Sequence, residues 1–540
     1  MSKILKILAA LGLWTSPAPA QTYTQMQWGM DKTVSPYAFG ANVNGTWRNL
    51  GTVTSGGVWS IPSANISGLG TAAAQNIGTS GSNVPLLSTA NTWGGAQNFS
   101  AGATVPFTQS GAGAVATNVD AKLKEAISVK DYGAVGNGVA NDTTAFTNCL
   151  TYAASLGKVC SVPAGKYLLT SITIPNNSGL VGEGRKIGGV NGLPSAVNVG
   201  PTLMTTNTVD PLIRMQGGTI LSGFTFYYPN QVAPTFPAPV VYPTTIRVEE
   251  GSNGGVSIDH LQAINAYDFL TINMGRVFVD NLLIGALHNG IVVDNAQDFV
   301  YINNTMHQVM WDIAAGAVVP STLDAWVMTN STALIVGRAD SLHLTNMGVF
   351  GRFQCALFTD SANVALSPRN SYGDIDGLDC DSVSYGPVFT STNNTVHGWK
   401  IENVTIGPNL WGGVGVAGQT GIYLTTGGTS APIVTANHVD IRGSWASGFY
   451  AISTGNLRID TGYGVNGQGA LTAPAIPATN VAQTNNFPFP VRVFVTGGTV
   501  SAVKIGGTTT GAIAGQFTLN PAETITLTYT VAPTWTWFGL

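Results

Sequence analysis

The densest group of chemically useful side chains in the sequence is an acidic segment in the second half of the chain. Asp374, Asp376, Asp379 and Asp381 are four of its 26 acids and fall close together. Alternate residues of a strand share a face, so these acids form two pairs, with Gly377 as a turn that could aim both pairs into one groove. Paired carboxylates can act as general acid and base on a glycosidic bond. The same oxygens suit a calcium ion, and a polar loop with neither role stays open.

A repeated strand pattern supplies a second set of candidates. Short aliphatic segments recur along the chain, centred on Ile258, Val279, Ile302, Leu344, Ile375, Ile401 and Ile441. The residue after each centre is predicted to face outward, which gives the column Asp259, Asp280, Asn303, Thr345, Asp376, Glu402 and Arg442. Carboxylates stacked on neighbouring strands would lie about 5 Å apart, as in retaining glycosidases. The catalytic candidates are therefore Asp376, Asp379, Asp381 and Glu402, and the alternative is that such residues only bond to the next strand.

Aromatic and basic residues around the acidic segment are candidates for binding a sugar chain, because Tyr and Trp combine a flat apolar face with a polar edge. These candidates are Tyr372, Trp399, Lys400, Arg352, Trp411 and Arg442. The six histidines are scattered, and we interpret them as structural hydrogen-bonding groups. Nothing in the sequence has zinc-ligand spacing, so we expect neither a metal site nor a cofactor, unless elimination chemistry requires Ca²⁺.

The elements that must position these residues are the rungs of a solenoid. The central aliphatics return at intervals of about two dozen residues, which is one turn of a stacked β structure. At about 22 residues a turn, the segment 127–470 would form about 15 rungs, spaced about 4.8 Å apart. Irregular intervals late in the series indicate loops inserted into some rungs.

The composition agrees with an extended β protein. Of 540 residues only 9% are charged and 67 are glycine, too few charges for the outer faces of a helix bundle. Disorder is disfavoured because 44% of residues are hydrophobic and the net charge is only −4. The sequence has no basic stripe, so no nucleic-acid partner is expected.

A motif near residue 130 carries a family resemblance. Strand, Gly-rich turn, helix and strand follow one another through Ile127-Ser128-Val129-Lys130-Asp131-Tyr132-Gly133, Asn141-Asp142-Thr143 and Val162-Pro163-Ala164-Gly165. This run resembles the opening of the pectate-lyase-superfamily domain of phage tailspikes and secreted polysaccharide-degrading enzymes, although Asn137 and Asn141 stand where that pattern usually has Asp. The resemblance implies an all-β fold, a single-stranded right-handed parallel β-helix.

The acidic segment carries a weaker resemblance. Asp376-Gly377-Leu378-Asp379 is similar to part of the polygalacturonase signature. The flanking motifs of that signature are missing, so its mechanism is not carried over.

The remaining zones complete the predicted domain order. Residues 1–20 resemble an export signal, and 21–126 resemble phage tail-fibre shafts, with a flexible linker as the alternative. The β-helix is predicted at 127–470, a Pro-spaced linker at 471–490 and a small C-terminal β module at 491–540. The tail-like segments indicate a homotrimer, with the terminal aromatics at its interface, and no membrane span is expected after signal removal.

The four cysteines allow two bridges. Cys149 and Cys160 could join a helix to a strand. Cys355 and Cys380 could meet only if neighbouring turns of the fold bring them together.

These observations favour a secreted or virion-tail protein that binds and depolymerises bacterial surface or extracellular polysaccharide, by hydrolysis or elimination. The alternative is a receptor-binding fibre or secreted adhesin without enzymatic activity, because fold alone does not confer activity.

Overall fold

The computed structural model describes residues 26–31, 37–43, 46–54, 58–60, 77–78, 84–85, 105–184, 200–231, 238–249, 254–311, 321–365, 372–390, 398–408, 418–424, 433–446, 450–452, 457–459, 462–463 and 469–540. The chain divides into two compact units, Met1–Ala116 and Thr117–Leu540. The predicted export signal at 1–20 lies outside the described residues. Within the described parts, no helix has the length and apolar character needed to cross a membrane.

The first unit contains a four-stranded antiparallel sheet whose strands pair in chain order: Met26–Asp31, Tyr37–Val43, Thr46–Val53 and Trp59–Ser60. Its other described strands are short: Ile77–Gly78, Val84–Pro85 and Pro106–Thr108. In the second unit, the strand Ala116–Asn118 and the helix Val119–Leu123 precede the main body.

The Gly-rich motif builds the beginning of the main body. Asp142 is buried and accepts backbone N–H groups of Val135 at 2.6 Å and Gly136 at 3.0 Å, which fixes the turn after the 3₁₀ helix Val129–Tyr132. The helix Thr143–Ser155 follows, and Asn141 accepts the N–H of Thr143 at 3.0 Å. The apolar face of this helix is buried in the same core as the first strands.

The main body is a right-handed parallel β-helix of three sheets, which confirms the predicted fold. Some strands belong to the first sheet alone: Ile127–Ser128, Val159–Val162, Gly179–Gly182 and Leu457–Ile459. Others belong to the second sheet: Asn137–Asn141, Gly165–Leu168, Pro201–Met204 and Gly462–Tyr463. The third sheet has Ile172–Ile174, Ile213–Met215, Ile246–Val248, Leu270–Ile272, Asn289–Val293, Thr332–Val336, Ile422–Leu424 and Tyr450–Ile452.

Longer strands join the sheets. Six turn the corner between the first and second sheets: Thr219–Tyr227, Val256–Ala263, Val277–Ile284, Val300–His307, Gly398–Pro408 and Ile433–Ile441. Two run through all three sheets: Asp340–Phe358 and Tyr372–Phe389. Parallel pairing links each rung to the next.

The core is built from inward aliphatic columns. On the first sheet, register partners form the column Ile127, Cys160, Leu180, Leu221, Ile258, Val279, Ile302, Leu344, Ile375, Ile401, Ala436 and Ile459. The predicted member Ile441 was wrong, because Ala436 is the partner of Ile401. The column has fewer rungs, among the described residues, than the roughly 15 that the sequence predicts. The reason is that insertions lengthen some rungs, such as the segment before Thr332 that holds the helix Thr322–Asn330.

The corner between the first and second sheets has a fixed backbone form. One residue per rung adopts a positive φ there: His260, Asn281, Asn304, Asn346, Gly377, Asn403 and His438. Asn and Gly tolerate this conformation better than other residues. The outer side chains before this residue therefore belong to one sheet and those after it to the next.

Both bridges that the sequence allows are present. Cys149 joins the first helix to Cys160, and Cys355 on the third sheet bridges Cys380 on the second sheet of the following rung. All four cysteines are buried, so the second bridge closes neighbouring turns through the core.

The C-terminal module differs from the prediction. It consists of two four-stranded antiparallel sheets, with strands Gly469–Leu471, Thr534–Gly539, Val491–Thr496 and Gly515–Leu519 in one and Ala482–Thr484, Thr524–Val531, Thr499–Ile505 and Thr508–Thr509 in the other. The segment 471–490 is not simply a linker, because its strand Ala482–Thr484 forms an edge of one sheet and Leu471 ends an edge strand of the other. Trp535 and Trp537 were expected at a trimer interface. They are buried inside the module because they alternate with Thr on an interior strand, paired on both sides.

Candidate functional site

The acidic segment is divided by the corner at Gly377. Asp374 and Asp376 lie on the outer face of the first sheet, while Asp379 and Asp381 lie on the outer face of the second. The predicted single groove lined by both pairs was therefore wrong. The physical reason is the positive φ of 76° at Gly377, which bends the strand between the pairs.

On the first sheet, outer polar side chains bond from rung to rung. Asn403 Nδ2 donates to Asp376 Oδ1 at 2.7 Å, and Asn304 Nδ2 donates in the same way to Asp280 Oδ1 at 2.8 Å. Glu402 is the register partner of Asp376, as predicted, and Lys400 Nζ lies 3.0 Å from its Oε1. Asp376 is thus bonded to the next rung, which was the alternative interpretation of this column, whereas Glu402 pairs with Lys400 on its own strand.

Arg442 does not belong to that column. The register partner of Glu402 is Asn437, and Arg442 lies beyond the corner on the second sheet. Irregular spacing in the last rungs made the sequence series skip from the first sheet to the second.

The structure instead brings Arg442 near Asp379 and Asp381. On the outer face of the second sheet, three successive rungs contribute pairs of residues two apart: Asp379 and Asp381, then Thr405 and Gly407, then Asp440 and Arg442. We call these six residues the acid patch. The Arg442 guanidinium donates to Asp440 Oδ2, with Nε at 2.8 Å.

The electrostatics of the acid patch favour a protonated carboxyl. Burial raises the pKa of Asp379, the nearby charge of Asp381 raises it further, and Arg442 opposes both effects. Crowded carboxylates in a partly desolvated position are the usual source of a general acid.

Glycine leaves room beside these carboxylates. A Cβ added at Gly407, on the next rung, would lie 3.7 Å from Asp381 Oδ1, and one added at Gly348, on the preceding rung beside Asp379, would come only within 4.0 Å of Met306. The backbones of Asp381 and Arg442 are two rungs apart, about 9.6 Å. The gap beside Asp381 Oδ1 is thus the space that a side chain at residue 407 would fill.

The predicted binding residues fall in different places. Lys400 is exposed on the first sheet, and Tyr372 is half-buried where the acidic strand begins. Trp399 is 3% exposed and packs on Phe358 in the core, so its predicted contact with sugar was wrong. In the strand that begins at Gly398, odd residues point inward, which strand alternation alone could have shown. Trp411 lies outside the described residues.

Arg352 is also internal, against the prediction. It is 1% exposed, donates to the backbone carbonyls of Ala286 and Gln308 and lies over the ring of Trp311, with its carbon Cζ 5.2 Å from the centroid. Arg352 therefore ties the two preceding rungs to the insertion rather than meeting solvent.

Sequence reasoning missed one arrangement on the first sheet. His343 is the register partner of Asp374, and its ring nitrogens lie near Asp374 and Ser341. Residues 343 and 374 are far apart in the sequence, so only the strand register could reveal this contact.

The described residues contain no group of three His, Cys, Asp or Glu side chains placed to hold a metal ion.

Comparisons with known proteins confirm the resemblance. The family model described as rhamnogalacturonase A/epimerase, pectate lyase-like, matches residues 126–217, the region of the Gly-rich motif. The search of curated proteins found no match.

Three solved structures illustrate the neighbours of the fold. A tailspike of the Acinetobacter baumannii bacteriophage Fri1, a capsular polysaccharide depolymerase, is 11% identical over 78% of this chain and 86% of that one, with a TM-score of 0.35. A tailspike variant of the Escherichia coli bacteriophage HK620, in complex with a pentasaccharide, is 9% identical over 80% and 96%, with a TM-score of 0.41. An exopolygalacturonase of Thermotoga maritima is 10% identical over 62% and 91%, with a TM-score of 0.37.

Proposed function

We propose that this protein binds a polysaccharide along the outside of the β-helix and cleaves its glycosidic bonds at the acid patch. The observation that carries this proposal is the position of Asp379 and Asp381 on one outer face, where partial burial and then the charge of Asp381 raise the pKa of Asp379. The open space over Gly407 gives a sugar ring access to both carboxyls.

The geometry supports hydrolysis by an acid and a base. Asp379, protonated, would donate its proton to the glycosidic oxygen, and Asp381 would activate a water molecule. Residues two apart in a strand have Cα atoms about 6.6 Å apart.

The candidates on the first sheet are proposed to bind the polymer rather than to cleave it. Asp376 is bonded to Asn403 of the next rung, and Glu402 pairs with Lys400 on its own strand. Asp376 and Lys400 are exposed and Glu402 is half-buried on the outer face of the first sheet. We assign them to contacts with hydroxyl groups of the polymer, outside the reacting bond.

The proposal is tested by reducing-end release from a panel of capsular and exopolysaccharides. Asp379→Asn and Asp381→Asn should each lower the rate at least about 100-fold, the usual contribution of a general acid or base. Asp280→Asn, which changes a first-sheet carboxylate bonded to Asn304, is the matched control, and its rate should stay within about threefold of wild type. Equal rates in Asp379→Asn and wild type would remove the acid patch from the mechanism.

The binding-only alternative has its own signature. A glycan array that retains a polysaccharide without release of reducing ends or unsaturated products would identify a receptor-binding fibre or adhesin. Elimination would instead give unsaturated products, and their loss with EDTA would identify the Ca²⁺ expected for that chemistry.

We further propose an extracellular or virion setting and a homotrimer. The two disulfides support an oxidising compartment. Light scattering on the purified chain measures the oligomeric state, and mass spectrometry of the N-terminus tests the removal of residues 1–20.

A further inference from the structure

Three side chains on the outer face of the first sheet form a connected chain of hydrogen bonds. His343 Nδ1 lies 2.6 Å from Asp374 Oδ1, and His343 Nε2 lies 3.0 Å from Ser341 Oγ. Because a carboxylate only accepts, Nδ1 carries the ring proton and Nε2 accepts from the serine hydroxyl. These three residues are called the triad.

The fold holds the triad in place from both sides. The ring of His343 stacks on that of Tyr301, on the preceding rung, with centroids 4.9 Å apart and an interplanar angle of 14°. Asp374 is on the following rung as its register partner. The imidazole is therefore oriented before any substrate binds.

Ser341 has an unusual backbone. Its φ is 75°, and the strand register shifts between Asp340 and Leu342. A serine is uncommon in this conformation, and such residues concentrate at functional sites. The bulge displaces Ser341 from the backbone pairing of the strand and brings its hydroxyl to His343.

The triad is open to solvent. The side chains of His343 and Asp374 keep 30% and 44% of their exposure, and Ser341 is half-buried. Nucleophile, general base and orienting acid are thus present with the hydrogen bonds that acyl transfer requires.

We propose that Ser341, His343 and Asp374 hydrolyse carboxylic esters. Ser341 Oγ bonds to the acyl carbon while His343 Nε2 takes the hydroxyl proton, and Asp374 stabilises the resulting imidazolium. The C–O bond to the alcohol then breaks, and the alcohol leaves with the proton from Nε2. Water, deprotonated by Nε2, attacks the acyl-serine, releases the carboxylic acid and restores the hydroxyl.

The substrate class is an O-acyl ester on a sugar hydroxyl of a polysaccharide. The identity of the polymer rests on the proposed function, whereas ester hydrolysis itself does not. Thr345, Asp376 and Glu402 line the adjoining outer column with hydrogen-bonding groups. A polymer lying across these columns would present its acyl groups to Ser341.

A second His–Asp pair in the chain provides a comparison. His288 Nδ1 lies 2.9 Å from Asp268 Oδ1, but the other contact of this nitrogen is the side-chain amide of Asn289. Both contacts are made by Nδ1, and neither offers a hydroxyl to Nε2, so this pair should be inactive.

The test uses the full chain with p-nitrophenyl acetate and with an O-acetylated capsular polysaccharide. Ser341→Ala and His343→Gln should each lower p-nitrophenol release at least about 100-fold, and Asp374→Asn should lower it strongly because it reverses the ring tautomer. Ser257→Ala, in the same outer row, and His288→Gln are matched controls and should stay within about twofold of wild type. A fluorophosphonate probe should label Ser341, as read by peptide mass spectrometry.

The result separates the two activities. Ser341→Ala should keep reducing-end release, and Asp379→Asn should keep ester hydrolysis, so failure of one proposal leaves the other standing. Absence of p-nitrophenol release by the wild type, or unchanged release and labelling in Ser341→Ala, would overturn the ester hydrolase. Activity on p-nitrophenyl acetate without acetate release from any acetylated polysaccharide would overturn the substrate class.

Discussion

On the first sheet, outer carboxylates such as Asp280 and Asp376 accept hydrogen bonds from the asparagines of the next rung. On the second sheet, Asp379 stands beside Asp381, and glycines replace the side chains that could cover them. The residue type is the same on both faces. What differs is the neighbour one rung away, because an asparagine donates a hydrogen bond to the first-sheet carboxylates whereas a glycine leaves space beside Asp381.

The largest expected effect comes from the disulfide behind the acid patch. Cys380 points inward between Asp379 and Asp381, and its bridge to Cys355 closes 25 residues. The double variant Cys355→Ala, Cys380→Ala should lose about 3 kcal/mol of unfolding free energy and, because the strand loosens, most reducing-end release. Thermal melting and the cleavage assay measure both quantities.

The other disulfide is the control for this experiment. Removing Cys149 and Cys160 should also lower stability, but that bridge lies at the first rungs and should leave cleavage intact. Equal losses of cleavage in both double variants would contradict a local role of Cys380.

The inner face of the second sheet is tested by the pH dependence of the unfolding free energy. His307 lies on the inner face of the second sheet, and burial, with the nearby Arg352, holds its pKa well below the usual value. Below about pH 6.5 the unfolded chain binds a proton that the folded chain does not, so stability falls by about 1.4 kcal/mol per pH unit. Above about pH 6.5 both states leave His307 neutral, and the stability is no longer reduced by its protonation.

His307→Leu should remove this dependence. Both ring nitrogens lack a hydrogen-bond partner, so an apolar side chain costs little at pH 7. The loss of stability between pH 7 and pH 5 should be about 2 kcal/mol smaller in the variant, as measured by denaturant unfolding. Parallel pH curves for the two proteins would show that His307 does not titrate on unfolding.

Filling the gap on the second sheet is the next test. Gly407→Val places a side chain against Asp381 and should lower cleavage about tenfold, while a β-branched residue in a strand keeps stability within about 0.5 kcal/mol. Thr271→Val, on the outer face of the third sheet, is the control and should leave cleavage close to the wild-type rate. Wild-type kinetics in Gly407→Val would mean that sugar does not occupy this gap.

The smallest effect belongs to the first-sheet ladder. Asn403→Gly removes the bond to Asp376 but keeps a residue that accepts the φ of 54°, so it should cost about 1 kcal/mol or less. Asn403→Ala should cost about 1 kcal/mol more, because alanine is strained in this conformation. Chemical denaturation resolves the two, and equal costs would show that the backbone conformation contributes nothing.

The sequence by itself determined the solenoid. The spacing of Ile258, Val279 and Ile302 predicted the parallel stack, since strand alternation and a repeated turn length need no knowledge of distant contacts. The same local logic placed Asp376 beside Glu402 and allowed a bridge between Cys149 and Cys160 without deciding the pairing.

Only the tertiary structure decided which side chains meet across rungs. Insertions of unequal length separate successive rungs, so the contact of His343 with Asp374 and the place of Arg442 near Asp379 depend on strand register that no local pattern encodes. The bend at Gly377 likewise sent two halves of one acidic run to different faces, because a single positive φ redirects every side chain that follows it.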